Sequence, residues 1–154
     1  MELISERILE ASQEDTWRAL NDADILRASI PGCTELVRVS DTEFSAKITL
    51  KVGPIKANFA GKVDLTDIDG PNGYTLVGEG SGGVAGFAKG RAVVKLFALG
   101  PKQTRLTYDV KADIGGKLAQ LGARLIDSTS KKLADEFFKR FDEAVSAPAS
   151  TEAP

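Results

Sequence analysis

Three glycines, Gly78, Gly80 and Gly83, stand in the G-x-G-x-x-G spacing that lets backbone amides approach a pyrophosphate in dinucleotide-binding folds. That chemistry needs a strand before the glycines and a helix after them. Here Val84-Ala85-Gly86-Phe87-Ala88-Lys89-Gly90 follows and runs into another alternating segment, and no G-K-[ST] completes a phosphate loop. The stretch reads as a glycine-rich hairpin. Asp64, Asp67 and Asp69 are a second candidate, for a carboxylate-held metal, but they lack the loop length and bidentate Glu of an EF-hand. They read as an acidic turn. Cys33 follows Pro31-Gly32 with no base or cationic cluster beside it to lower its pKa, and reads as a small buried hydrophobe. Lys131-Lys132 and Lys139-Arg140 interleave with Asp135, Glu136, Asp142 and Glu143, the pattern of a solvated helix face.

The chain of 154 residues contains no histidine. Ser-His-Asp and Cys-His machinery is therefore excluded, and the commonest ligand of zinc and non-haem iron is missing. With a single cysteine, an iron–sulfur cluster held by this chain is excluded as well. The balance of 20 basic and 22 acidic residues speaks against a nucleic-acid partner. No apolar run approaches the length that spans a bilayer, and Met1-Glu2-Leu3-Ile4-Ser5-Glu6 is not a signal peptide. A lone cysteine and no leader place the protein in a reducing cytoplasm.

The elements that would position a site follow from hydrophobic period. Phe44, Ala46, Ile48, Leu50 and Val52 alternate with polar residues, and the phase continues through Ile55, Ala57, Phe59, Val63 and Leu65, and again from Leu106 to Ile114. This is a meander of half-buried antiparallel strands. Residues 2–11 form a first strand whose alternation Glu6 and Arg7 blur. Ser12 caps a short helix carrying Trp17 and Leu20, and a second short helix over about 22–28 ends before Ile30-Pro31-Gly32. Turns are expected at Ser40-Asp41-Thr42, Gly53-Pro54, Asp69-Gly70-Pro71-Asn72-Gly73 and Gly100-Pro101-Lys102. From Lys117 to about Ser146, Leu118, Leu121, Leu125, Ile126, Leu133, Phe137 and Phe141 recur at helical spacing. They predict a helix of roughly 30 residues, about 45 Å long. The expected fold class is α+β: a curved antiparallel sheet gripping one long C-terminal helix, with two short helices after strand 1. Residues 1–146 form one domain, and 147–154 an Ala/Pro-rich disordered tail.

One strand face is conspicuously small. Ala88, Gly90 and Ala92 share an inward face with Val94, Leu96 and Ala98, and Gly78, Gly80, Gly86 and Ala112 add to it. Inward Gly and Ala leave space between sheet and helix. The space is walled by Phe59, Leu76, Tyr108, Leu125, Thr129 and Leu133, and suits an apolar ligand with one or two polar anchors. The loops holding Ile30 and Pro31, and Gly82, Gly83 and Phe87, are expected to flank a common entrance.

Several segments together resemble a known family. Trp17-Arg18-Ala19-Leu20-Asn21-Asp22 and Ile30-Pro31-Gly32-Cys33-Thr34-Glu35-Leu36 resemble the start of START-like (SRPBCC) ligand-binding domains. Residues 51–62 (KVGPIKANFAGK), 86–90 (GFAKG) and 115–122 (GGKLAQLG) look like the carbon monoxide dehydrogenase CoxG family, over roughly residues 2–145. The resemblance implies a helix-grip fold with a seven-stranded sheet and no catalytic residues. It further implies an accessory protein of an aerobic molybdenum carbon monoxide dehydrogenase, linking that enzyme to the membrane quinone pool. On this reading the ligand is menaquinone or ubiquinone, held without a covalent bond, and the protein contacts the inner face of the cell membrane peripherally. Two other readings differ in class. One is a scaffold that recruits the dehydrogenase without binding ligand. The other is a cyclase-like enzyme using Tyr108 or a buried carboxylate, which the missing histidine disfavours.

Overall fold

The two-residue alternation becomes a continuous ladder. The computed structural model describes residues 1–146. β1 (Glu2–Leu9) leads into α1 (Gln13–Leu20) and α2 (Ala23–Ser29). Six strands follow: β2 (Cys33–Ser40), β3 (Glu43–Val52), β4 (Ile55–Asp69), β5 (Gly73–Ser81), β6 (Phe87–Gly100) and β7 (Gln103–Gly115). The chain then enters α3 (Ala123–Val145). The seven strands lie in the order β1-β7-β6-β5-β4-β3-β2, and every pair is antiparallel. The α+β helix-grip arrangement expected from the sequence is present. Each strand from β3 to β7 pairs with its predecessor through a short connection. At the β3–β4 tip, Gly53 takes φ +57°, a left-handed conformation that glycine adopts without steric cost.

β1 returns to the far edge, where Leu3 faces Val110 and Leu9 faces Thr104. The terminal amine of Met1 donates to the Ala112 carbonyl at 2.9 Å. Arg7 does not merely blur the alternation of β1: it occupies the same half-buried parity as Leu3 and Ser5. α1 and α2 form where their caps dictate. The Asp15 amide donates to Ser12 Oγ at 3.0 Å, and the Asp24 and Ile25 amides donate to Asp22 Oδ1 at 2.9 and 3.2 Å.

Inward residues divide the sheet into two halves. Toward α1, the inward positions are Phe44, Leu65, Tyr74, Val94, Leu96, Leu106 and Tyr108, which join Leu9, Leu20 and Phe141 in the buried core. Phe141 is completely enclosed. Trp17 packs on Tyr74 with ring centroids 5.1 Å apart, and the Tyr74 hydroxyl donates to the Leu20 carbonyl at 3.0 Å. Burial pushes the Tyr74 phenol well above its ordinary pKa.

The C-terminal helix is shorter than the spacing predicts. Gly116–Leu121 is a 3₁₀ turn, and Gly122, at φ +92°, separates it from the 23 residues of α3. That length corresponds to about 34 Å rather than 45 Å. Leu118 and Leu121 keep a three-residue spacing that a 3₁₀ turn satisfies as well as an α-helix does. The expected tail, residues 147–154, lies outside the described residues.

Candidate ligand-binding site

Away from α1, the inward strand positions become small. Gly61 faces Gly80 across β4 and β5, Gly78 faces Gly90 across β5 and β6, and Gly90 faces Ala112 across β6 and β7. Cross-strand pairing thus joins residues far apart in sequence into one belt almost without side chains. The belt cannot reach α3, and a cavity of about 440 Å³ lies between them. An engineered apolar cavity of about 150 Å³ already accepts benzene, so this one holds roughly three such ring volumes.

The remaining walls are apolar. β3 supplies Ala46, Ile48, Leu50 and Val52; β4 and β5 add Phe59, Val63 and Leu76; β7 adds Val110 and Ile114. The helical side consists of Leu118 from the 3₁₀ turn and Ile126, Thr129, Ser130 and Leu133 from α3. Lys62, Glu79, Lys89 and Arg91 also border it, but each alternates in its strand with an inward Gly, Ala or Val. By strand parity their side chains belong to the opposite face, and the missing side chains between them leave their backbone bare. Thr129 and Ser130 are therefore the inward-facing polar side chains.

Six of the eight expected wall residues and neighbours are brought together here: Phe59, Leu76, Gly90, Ala92, Thr129 and Leu133. Tyr108 and Leu125 are not. Tyr108 has the right parity but lies in the filled half, stacked on Phe138 at 5.1 Å. Leu125 turns toward the β3–β4 tip, where its Cδ2 would lie 2.9 Å from a Cβ on Gly53. Ile30, Pro31, Gly82, Gly83 and Phe87 sit at the same end of the sheet as the cavity but do not line it. Phe87 has outward parity and is half exposed, its ring over Gly115. Phe59 stands between Gly82 and the cavity, its ring 2.6 Å from where a Cβ on Gly82 would be. Gly90 also differs from expectation: a Cβ there would run into the Lys111 carbonyl oxygen and lie 2.8 Å from Ala112 Cα. Its missing side chain permits close approach of β7 rather than leaving empty space. Gly78 and Gly80 are the open positions, with nearest atoms at 3.5 and 3.7 Å.

The β3 residues, Ile126 and Ser130 were not singled out from the sequence. Their parity and helical phase were visible, whereas the depth at which each element crosses the cavity was not. Phe138 and Arg7 were also missed. Arg7 reaches from β1 to bond Asp135 on α3, lies 5.3 Å from the Phe138 ring centroid, and donates to the Tyr108 hydroxyl at 3.5 Å. Burial opposes the charge on this guanidinium, but Asp135 and Tyr108 outweigh it and raise its pKa.

The remaining candidates resolve simply. Asp67 sits at φ +49° in an irregularity of β4, as an acidic turn residue would. Among the described residues, no three His, Cys, Asp or Glu side chains group to hold a metal. Cys33 is half-buried rather than buried, its thiol donates to the Glu35 carbonyl at 3.3 Å, and burial pushes its pKa up.

The sequence model of the carbon monoxide dehydrogenase CoxG family matches residues 5–146. The chain belongs to that family. A comparison with curated proteins gave no match. Among solved structures, this CoxG family member is similar to a conserved protein from Geobacillus kaustophilus, at 29% identity and TM-score 0.89 over 95% of both chains. A START superfamily protein from Mycobacterium smegmatis aligns with TM-score 0.70 at 12% identity, over 94% of this chain and 96% of that one. The Zhui aromatase/cyclase from a Streptomyces species aligns with TM-score 0.65 at 13% identity, over 94% and 93%. The last two show the fold alone: it is START-like. Among the described residues, no helix is long and apolar enough to cross a membrane.

Proposed function

We propose that this protein is a non-catalytic accessory of carbon monoxide dehydrogenase that carries an isoprenoid quinone, menaquinone or ubiquinone, between the membrane pool and that enzyme. The observation that carries the reading is an apolar 440 Å³ cavity roofed by α3 in a member of the CoxG family. The protein supplies shape and exclusion of water, while the redox chemistry belongs to the quinone and the dehydrogenase. Contact with the cytoplasmic face of the membrane is peripheral and brings the cavity to its ligand. An enzymatic reading through Tyr108 has little support, because that phenol lies outside the cavity lining, under Phe138 and beside Arg7.

Organic extraction of the purified protein followed by mass spectrometry tests the proposal, together with titration of the extracted protein with menaquinone and ubiquinone. Retained or saturably bound quinone is the expected result. A protein that neither retains nor binds either quinone is not the carrier. If the Ala92→Phe variant still recruited the dehydrogenase and sustained electron transfer, the scaffold reading would replace it.

A further inference from the structure

The cavity is far too small for a whole long-chain isoprenoid quinone, and its hydroxyls sit part-way along it. Thr129 and Ser130 lie about one turn beyond Ile126 and one turn before Leu133, all four lining the cavity. Both residues are half-buried. Side chains of this kind in a helix commonly bond back to a carbonyl one turn earlier, and Ser128 does so, donating to Leu125 O at 3.1 Å. Thr129 and Ser130 make no such bond among the described residues, so their donors are free for whatever occupies the cavity. Across from the helix, the Gly61–Gly80 and Gly78–Gly90 pairs remove side chains from the sheet wall. A flat ring can lie directly against that backbone.

Resting on the quinone reading, we propose that the ligand enters ring first, its carbonyl oxygen accepting from the Thr129 and Ser130 hydroxyls, and that only the first one or two isoprenoid units follow it inside. The volume sets this limit. About three benzene-sized volumes accommodate a bicyclic head and one five-carbon unit. The rest of the tail stays outside. Thr129 and Ser130 thereby select for an acceptor-bearing head, and the glycine pairs select for its flatness.

The test uses the full chain and a series of 2-methyl-1,4-naphthoquinones carrying zero to four prenyl units, with matched 2-methylnaphthalenes that lack the carbonyls. Affinity should rise at least tenfold over the first two units and change less than about threefold afterwards. Thr129→Val with Ser130→Ala should weaken quinone binding about tenfold, the value of one hydrogen bond, while leaving the naphthalenes unchanged. Thr129→Ser, which keeps the hydroxyl, should restore most of the loss. Affinity that climbs steadily through the fourth unit, or equal losses for quinones and naphthalenes, would overturn the ring-first placement and leave the carrier reading intact. No binding of any quinone would overturn both.

Discussion

Gly80→Ala and Gly90→Ala add the same methyl group to opposite members of the glycine belt, and the structure assigns them opposite outcomes. At Gly80 the new Cβ meets nothing closer than 3.7 Å and projects toward the cavity. Removing a glycine at a backbone that tolerates alanine restricts the unfolded chain and stabilises by about 0.4–1 kcal/mol. At Gly90 the Cβ runs into the Lys111 carbonyl oxygen and lies 2.8 Å from Ala112 Cα, both backbone atoms of β7 that no rotamer change can clear. Strand β7 must shift, at a cost of about 1–3 kcal/mol typical of overpacking. For a domain of this size, 1 kcal/mol corresponds to about 3 °C in Tm. Thermal melts by circular dichroism should therefore place the two variants about 5–12 °C apart, Gly80→Ala at or above wild type. Two melts within 2 °C of each other would refute the claim that one glycine borders space and the other a strand.

Other expectations follow from the same geometry. Ala92→Leu adds three carbons to the cavity, so the ligand-free protein should melt no lower than wild type and gain up to about 2 kcal/mol, while quinone binding measured by fluorescence titration is lost; a fall above about 6 °C would show that the site is already filled. Tyr74→Phe removes the donor to Leu20 O and should cost about 1 kcal/mol at neutral pH. The Tyr74 phenol has a raised folded-state pKa, so its contribution is complete below the unfolded value near 10 and is lost as pH rises beyond it. Wild type should therefore lose up to about 1.4 kcal/mol per pH unit above pH 10 from this residue, a slope that urea melts of Tyr74→Phe should lack. Asp135→Asn should cost less than about 1 kcal/mol in urea denaturation, because the Asp135 side chain is 66% exposed and Arg7 keeps its place over Phe138. Ser12→Ala removes the cap of α1 and should cost about 1 kcal/mol in the same assay.

Local order was legible in the sequence wherever a period repeats. The alternation of residues 43–52 and the turns at Gly53-Pro54 and 69–73 place β3, β4 and β5, and Ser12 marks the start of α1. The small inward face of β6 pointed to a cavity because parity needs no knowledge of partners. Depth does need that knowledge. Tyr108 and Val110 share one face of β7, yet one lies in the core and the other lines the cavity. Only the pairing of β7 with β6, and the position of α3 over both, separates them. Gly90 illustrates the same limit, since strand parity predicts its face but not how closely β7 approaches. The break at Gly122 was obscured because apolar residues at three- and four-residue steps run unbroken across it. Phe138 escaped notice because Phe137 and Phe141 already filled the helical stripe, and its partners Tyr108 and Arg7 lie on strands that sequence alone does not bring together.

The placement of β1 has a consequence in time as well as in space. Strands β2 to β7 can each pair with a neighbour already made, so this part of the sheet grows by short-range closures as the chain lengthens. β1 has no such partner: its register with β7 joins Glu2 to Lys111, about a hundred residues later. Closing so long a loop costs more entropy than any hairpin in the sheet. The first strand to leave the ribosome is thus the last that can dock. When it does, Arg7 carries it onto Asp135 and fastens the final helix in the same step. Until that moment the sheet lacks its edge, and α3 lacks a tie that holds it over the cavity.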